Sequence, residues 1–136
     1  MSKTKGITKR ERDCLLVIGE DIKNGFPDRL VNLSRKLQVS SPTVMNLLDR
    51  LDQKGLIRRL EGMVTLTDLG MQTYGELMES HRVIEYIFYK NGIPEDECCK
   101  EASKIDYIIE QDVISRLFMN LGEPSTCPHG RRIRGD

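Results

Sequence analysis

Apolar residues near the start of the chain return every three or four positions. Cys14, Leu15, Ile18 and Ile22 follow this spacing, which predicts a helix over 8–22 that Asn24 and Gly25 stop. Pro27 opens a second predicted helix, with Leu30, Leu33 and Leu37 on one face. In "QVSSPTVMNLLDRLDQKGLI", Ser41 suits an N-cap and Pro42 a first helical residue. Val44, Leu47, Leu48 and Leu51 form the stripe of that third helix, over 42–54, and Gly55 ends it. The period then changes: in "LIRRLEGMVTLT" two β-prone runs flank Glu61 and Gly62, a short hairpin signal. Three helices, the last two joined by a tight polar turn, and then a hairpin predict a winged helix-turn-helix over residues 1–67.

Beyond Thr67, the expected cap, the helical period resumes. A long helix is predicted from Asp68 to about Lys90, with Met71, Tyr74, Met78, His81, Glu85 and Phe88 along its seam. Leu77, Ile84 and Ile87 form a second stripe beside it. Asn91 and Gly92 end this helix, and Pro94 opens another that is expected to run to about Asn120. Ile105, Ile109, Val113 and Phe118 would line one side of it, with Cys99, Ser103, Asp106 and Glu110 in a narrow sector alongside. Two helices cannot bury so many large apolar side chains, and a unit of about 65 residues is marginal alone. A symmetric homodimer is the simplest remedy, so residues 68–136 read as an α-helical dimerisation domain. The tail "STCPHGRRIRGD" reads as a strap folded against that domain and frayed at its end. The fold class is mainly α.

Composition narrows the function. With 38% hydrophobic and 31% charged residues in 136, the chain reads as an ordinary globular protein. No apolar run is long enough to cross a bilayer, and Met1 to Thr8 lacks a signal-peptide pattern, so a cytoplasmic protein with no membrane partner is expected. Cys14, Cys98, Cys99 and Cys127 then read as reduced thiols, available as soft metal ligands. Charge is uneven: 13 Lys and Arg face 8 Asp and Glu over residues 1–66, and the imbalance reverses to 8 against 13 in the rest. A basic front half joined to a winged helix points to double-stranded DNA. On the third helix, Thr43, Asn46 and Arg50 lie opposite the Leu stripe and can read base edges or bind phosphate. Ser40, Ser41 and Pro42 form a helix start suited to phosphate, Arg58 and Arg59 put charge on the wing, and Arg29, Arg35 and Lys36 could line the DNA backbone. No nucleophile–base pair, phosphate loop or zinc-hydrolase spacing is present, so an enzyme is not expected.

His81 and Glu85 are less easily read. Four residues apart on an apolar stripe, they either hold a metal or satisfy each other's hydrogen bonds. Here the chain resembles a known family, the metal-dependent repressors of the diphtheria-toxin-repressor and manganese-transport-regulator type. The likeness covers almost the full length. It rests on "LSRKLQVSSPTVMNLLDRLDQKGLI", "VTLTDLG", "SHRVIEYIF" with a Gly-Ile turn after it, "CKEASKIDYIIEQDVISRL" and the strap "CPHGRRI". It implies the short, two-domain form, a homodimer on a DNA operator, and repression switched by a divalent transition metal (iron, manganese or zinc). Carried over by position, it implies Asp13, His81, Glu85, Cys99 and Asp106 as metal ligands, while Ser103 and Tyr107 stand where the family has ligands. One surviving metal site is expected rather than two, and Cys99 tilts the choice toward zinc or iron. Cys127 and His129 read as part of a structural strap, with metal ligation the weaker alternative. Two other readings stay open: a metal-independent or redox-responsive winged-helix regulator, and a dimeric protein-interaction module.

Overall fold

The computed structural model describes residues 6–134. The first five residues and the last two, Gly135 and Asp136, where the strap is expected to fray, lie outside the described residues. The chain divides into two compact units, one of residues 8–74 and one of residues 75–136 together with the N-terminal stretch to Ile7. No helix among the described residues is long and apolar enough to cross a membrane.

In the first unit, α1 (Lys9–Lys23) starts from Thr8 in a reciprocal cap: the Thr8 hydroxyl accepts from the Glu11 N–H while the Glu11 carboxylate accepts from the Thr8 N–H. Pro27 does not open the next helix. Asp28 and Arg29 form a short strand, β1 (Asp28–Arg29), and α2 (Leu30–Leu37) begins after it. The reason is non-local: the extended residues after Pro27 pair with Met63 and Val64 and become the third strand of the wing. Gln38 takes a left-handed φ of 56° and turns the chain out of α2, the tight turn of the helix-turn-helix. Helix α3 (Ser41–Gln53) starts one residue earlier than expected, because the Ser40 hydroxyl, not that of Ser41, accepts from the Thr43 N–H. The wing is β2 (Ile57–Leu60) and β3 (Met63–Leu66), antiparallel, in the sheet order β1-β3-β2. Both turn residues, Glu61 at 53° and Gly62 at 77°, have positive φ, as a two-residue hairpin turn requires. Leu15, Ile18, Leu33, Val44, Leu47, Leu48, Leu51 and Val64 form the core of this unit. Each fully buried Leu or Ile contributes about 1.5–3 kcal/mol.

Thr67 caps α4 (Asp68–Lys90) by accepting from the Gly70 N–H at 3.0 Å. Met71 is exposed where the expected seam placed it inside; the buried side of α4 runs instead through Tyr74, Leu77, His81, Ile84 and Glu85. The second unit departs further from expectation. The helix expected from Pro94 to Asn120 is two helices, α5 (Glu95–Ala102) and α6 (Gln111–Asn120). Between them the backbone tightens to three-residue hydrogen bonds, Lys104 to Glu101, Ile105 to Ala102 and Ile108 to Ile105. The break resets the helical phase, so Ile114 and Phe118 are buried and Val113, expected inside, is 45% exposed. Val83, Ile84, Ala102, Ile114, Phe118, Cys127 and Ile133 form the core here.

The strap is a tight loop. Thr126 and Arg132 form a β-bridge, the Cys127 N–H donates to the Arg131 carbonyl, and the Ile133 N–H donates to the Ser125 carbonyl. Gly130, at φ 82°, makes the turn that leaves Cys127, Pro128 and His129 at the tip. Arg82, buried on α4, donates to the Arg132 carbonyl at 2.6 Å, and Arg134 pairs with Glu79 while lying over the Phe118 ring.

Candidate functional site

Helix α4 presents His81 and Glu85 one turn apart, and both are buried, at 8% and 3% exposure. The His81 ring is held from behind: its Nδ1 lies 2.9 Å from an Asp106 oxygen in the turn after α5. That bond directs Nε2 toward Glu85 Oε2 at 3.6 Å and Cys99 Sγ on α5 at 3.4 Å. Asp106, fully buried, therefore orients the imidazole on the side away from the other donors, the relation typical of a carboxylate behind a ligating histidine. This differs from the expected role of Asp106 as a ligand beside His81.

Electrostatically the cluster is poised for a cation. Burial works against a charge on His81, but hydrogen bonds to Asp106 and Glu85 and their charges prevail and raise its pKa to about 10. Burial likewise pushes Glu85 up, yet the hydrogen bond and charge of His81, the charge of His129 and a hydrogen bond from Cys127 hold it below the usual carboxylate range. The strap completes the surroundings: His129 Nδ1 lies 2.9 Å from Glu85 Oε2, and its Nε2 is 4.0 Å from Glu95. Two donor triads result, His81 with Glu85 and Cys99, and Glu85 with Cys127 and His129. A tetrahedral ion with bonds of about 2.0–2.3 Å separates its donors by about 3.3–3.8 Å. The His81–Cys99 and His81–Glu85 separations of 3.4 and 3.6 Å fit that figure, and all three donors lie within 4.8 Å of one another.

Of the expected ligands, then, the structure brings together His81, Glu85 and Cys99, with Asp106 behind. Asp13 belongs to the first unit, where Lys9 Nζ at 2.7 Å and Arg12 Nη1 at 2.8 Å hold one of its oxygens. Ser103 donates to the carbonyl of Cys99, bonding to its own helix as serine does, and Tyr107 is half-buried. Cys127 and His129, read mainly as structural, stand among the donors. No local pattern could place them there, because a strap's fold is set by distant contacts.

On the first unit, Ser40, Ser41, Pro42, Asn46 and Arg50 are exposed along α3 and Thr43 is half-buried. The Ser40 and Thr43 hydroxyls touch at 2.9 Å, and the Thr43 N–H is already taken by Ser40. Pro42 has no N–H, so a phosphate at this helix start would fall mainly to the three hydroxyls. Arg50 is exposed but paired through Nε with Glu11 at 3.1 Å. Arg58 and Arg59 differ: Arg58 is exposed on the wing, whereas Arg59 reaches back to Asp49 and Asp52 of α3 at 2.9 and 2.8 Å. Arg29 is exposed, and its Nη1 lies 3.5 Å from where a Cβ on Gly62 would stand, at the wing turn. Glu11 was not singled out by sequence reasoning. Almost fully buried, it ties Lys54 and Arg50 at the end of α3 to the start of α1. The Thr8-x-x-Glu11 spacing signals its capping part; the α3 partners have no local signature.

Residues 67–135 match the family described as "Iron dependent repressor, metal binding and dimerisation domain", and residues 4–64 match "LexA DNA binding domain". The iron-dependent repressor IdeR of Mycobacterium tuberculosis is 30% identical over 115 residues, which cover 83% of this chain and 50% of that protein. An uncharacterized HTH-type transcriptional regulator of Aeropyrum pernix is 29% identical over 115 residues, covering 81% of this chain and 64% of the other. The chain thus spans between half and two thirds of the length of these curated relatives. Among solved structures, a hypothetical protein from Sulfolobus solfataricus aligns with a TM-score of 0.83 at 30% identity, over 95% of this chain and 100% of that one. The manganese regulator SloR aligns with a TM-score of 0.82 at 25% identity, over 95% of this chain and 61% of that one.

Proposed function

Since the chain belongs to the iron-dependent repressor family, we propose that it is a cytoplasmic, homodimeric transcriptional repressor whose hold on its DNA operator is set by a divalent transition metal. The observation that carries this reading is the buried His81, oriented by Asp106 and facing Glu85 and Cys99 at tetrahedral spacing. A pair present only to satisfy its own hydrogen bonds needs neither the second carboxylate behind the ring nor the thiol in front. The winged helix supplies the other half, with Thr43, Asn46, Arg50, Arg58 and Arg29 as the groups that would meet the duplex.

A bound ion would supply a fixed double positive charge between the donors of α4 and α5, His81, Glu85 and Cys99. The protein's part is to hold those donors ready. Asp106 holds the His81 ring through Nδ1, Arg82 pins the strap through the Arg132 carbonyl, and Arg134 anchors its end on Glu79 and Phe118. Helix α4 is continuous from the residue after Thr67 to Lys90, so the element that carries His81 and Glu85 is the one that follows the wing in the chain. The switch is a population shift between arrangements that bind DNA well and poorly, with a coupling of about 1–3 kcal/mol typical of such devices.

The test is anaerobic DNA binding by the purified protein, first in chelator and then with manganese, iron(II) or zinc. The expected result is tighter binding with at least one metal. His81→Ala should abolish that metal response while leaving the dimer intact by sedimentation. An equal affinity in chelator and in every metal would remove the switch from this reading and leave a constitutive DNA binder.

A further inference from the structure

Along α3 the core is filled by Val44, Leu47, Leu48 and Leu51, each 2% exposed or less. Among the described residues, one large apolar side chain of this helix stays in water, Met45 at 41% exposure. It belongs to the N-terminal half of α3, the part that a helix-turn-helix lays against base edges in the major groove. We propose that Met45 determines part of the operator sequence by packing on the C5-methyl group of a thymine. This rests on the DNA-binding reading above and goes beyond it by naming a base and the side chain that reads it.

Three observations carry it. The first is position. Helical spacing puts Met45 one turn after Ser41 and Pro42 and one turn before Asp49, all of them exposed, and away from the buried stripe. The core is complete without it, so its apolar surface is available for burial against a ligand.

The second is the charge around it. Asp49 and Asp52 follow Met45 along the same edge of the helix, and Arg59 of β2 holds them at 2.9 and 2.8 Å. The charge of Arg59 is balanced there, so this edge is not one that a phosphate would seek. Thr43 and Arg50, which suit phosphate, lie around the opposite edge of α3.

The third is the chemistry of the side chain. A thioether has no donor and is only a weak acceptor, so Met45 can neither hold a phosphate nor pair with the polar edge of a base. The apolar group that the major groove presents is the thymine methyl. An unbranched side chain with three rotatable bonds can follow that methyl without strain. Asn46, the next residue and also exposed, suits an adenine through its N6 and N7, so the two would read neighbouring positions.

The experiment begins by selecting duplexes from a random-sequence pool with the full chain, anaerobically, in separate reactions with chelator, manganese, iron(II) or zinc. In the tightest duplex each thymine is replaced in turn by deoxyuridine, which removes the C5-methyl and keeps the base pair. Affinities are measured by fluorescence anisotropy for the unaltered chain, Met45→Ala and Met45→Leu, each checked for folding by circular dichroism. The expected result is a thymine whose replacement weakens binding by the unaltered chain about fourfold, the effect of one buried methyl group. Met45→Ala should bind the thymine and uracil duplexes equally at that position, and Met45→Leu should restore part of the discrimination. A uracil effect of the same size in Met45→Ala, or none in the unaltered chain, overturns the assignment and leaves DNA binding standing. A pool with no enriched duplex in any reaction removes the DNA-binding reading and this inference with it.

Discussion

His81 can serve a metal only if its Nε2 is aimed and deprotonated, and Asp106 does the aiming. Asp106→Asn keeps the size and a hydrogen bond but removes the charge behind the ring. It should lower metal affinity about 10–100-fold, measured by competition with a chromogenic chelator, while the donors themselves remain. A different carboxylate makes the DNA-binding unit sensitive to pH. Asp28 is 2% exposed and hydrogen-bonded to Asp21, and its Oδ2 has no hydrogen-bond partner. Burial first, then the bond and charge of Asp21, push its carboxyl up to about 7, against the opposing charge of Lys36. Asp21 moves the other way: burial raises it, but Lys36 and the bond to Asp28 prevail and hold it low. A raised acid stabilises the fold fully below its ordinary pKa and loses that contribution as pH climbs to about 7. Asp21 contributes above its ordinary pKa and loses that contribution as pH falls through its lowered value. Stability of this unit should therefore peak in mild acid and fall by about 1–3 kcal/mol toward neutrality. Asp28→Asn should flatten that fall, read by urea denaturation at pH 4.5 and 7.5 with hydrogen exchange at β1 and α2.

At the scale of elements, the wing shows how neighbours in sequence acquire different jobs. Arg58 and Arg59 are adjacent on β2, so they point to opposite faces of the strand. Arg59 is clamped by Asp49 and Asp52, and its pKa is raised chiefly by those two hydrogen bonds. Its charge is already balanced, whereas that of Arg58 is available to a phosphate. Arg58→Ala should reduce the salt dependence of DNA binding by about one counterion, while Arg59→Ala should leave the slope nearly unchanged. Measuring affinity across salt concentrations separates them, and equal slopes for the two variants would refute the distinction. Arg59 fastens the wing to α3, but its partners are half exposed, so stability should change by less than about 1 kcal/mol.

At the scale of the whole molecule, the second unit leaves several large apolar side chains in water. Tyr89, Ile108, Val113 and Met119 are 45–64% exposed, within residues that match a metal-binding and dimerisation domain. A second copy of the chain is the proposed occupant of that surface. Ile108→Glu should yield a monomer by sedimentation velocity, with DNA affinity reduced because two half-sites are no longer held together. A dimer that survives the substitution would move the interface elsewhere on the unit.

Much of this protein is decided locally. The stripes of α1, α3 and α4, the Glu61–Gly62 turn and the stop at Gly55 depend on residues within a turn or two of each other, so composition and period alone determine a mainly α chain with a winged front. His81 and Glu85 are legible for the same reason, since a four-residue spacing puts them on one helix face. What tertiary structure alone decided lies where partners are far apart in the chain. Asp28 and Arg29 become a strand because β3 lies beside them, and α5 ends at Ala102 although the helical pattern continues. Asp106 moves behind the His81 ring, across 25 residues. Cys127 and His129 reach Glu85 only because Arg82, Glu79 and Phe118 hold the strap down. Periodicity reports which face of an element is buried; it carries no information on which distant side chain will meet it there.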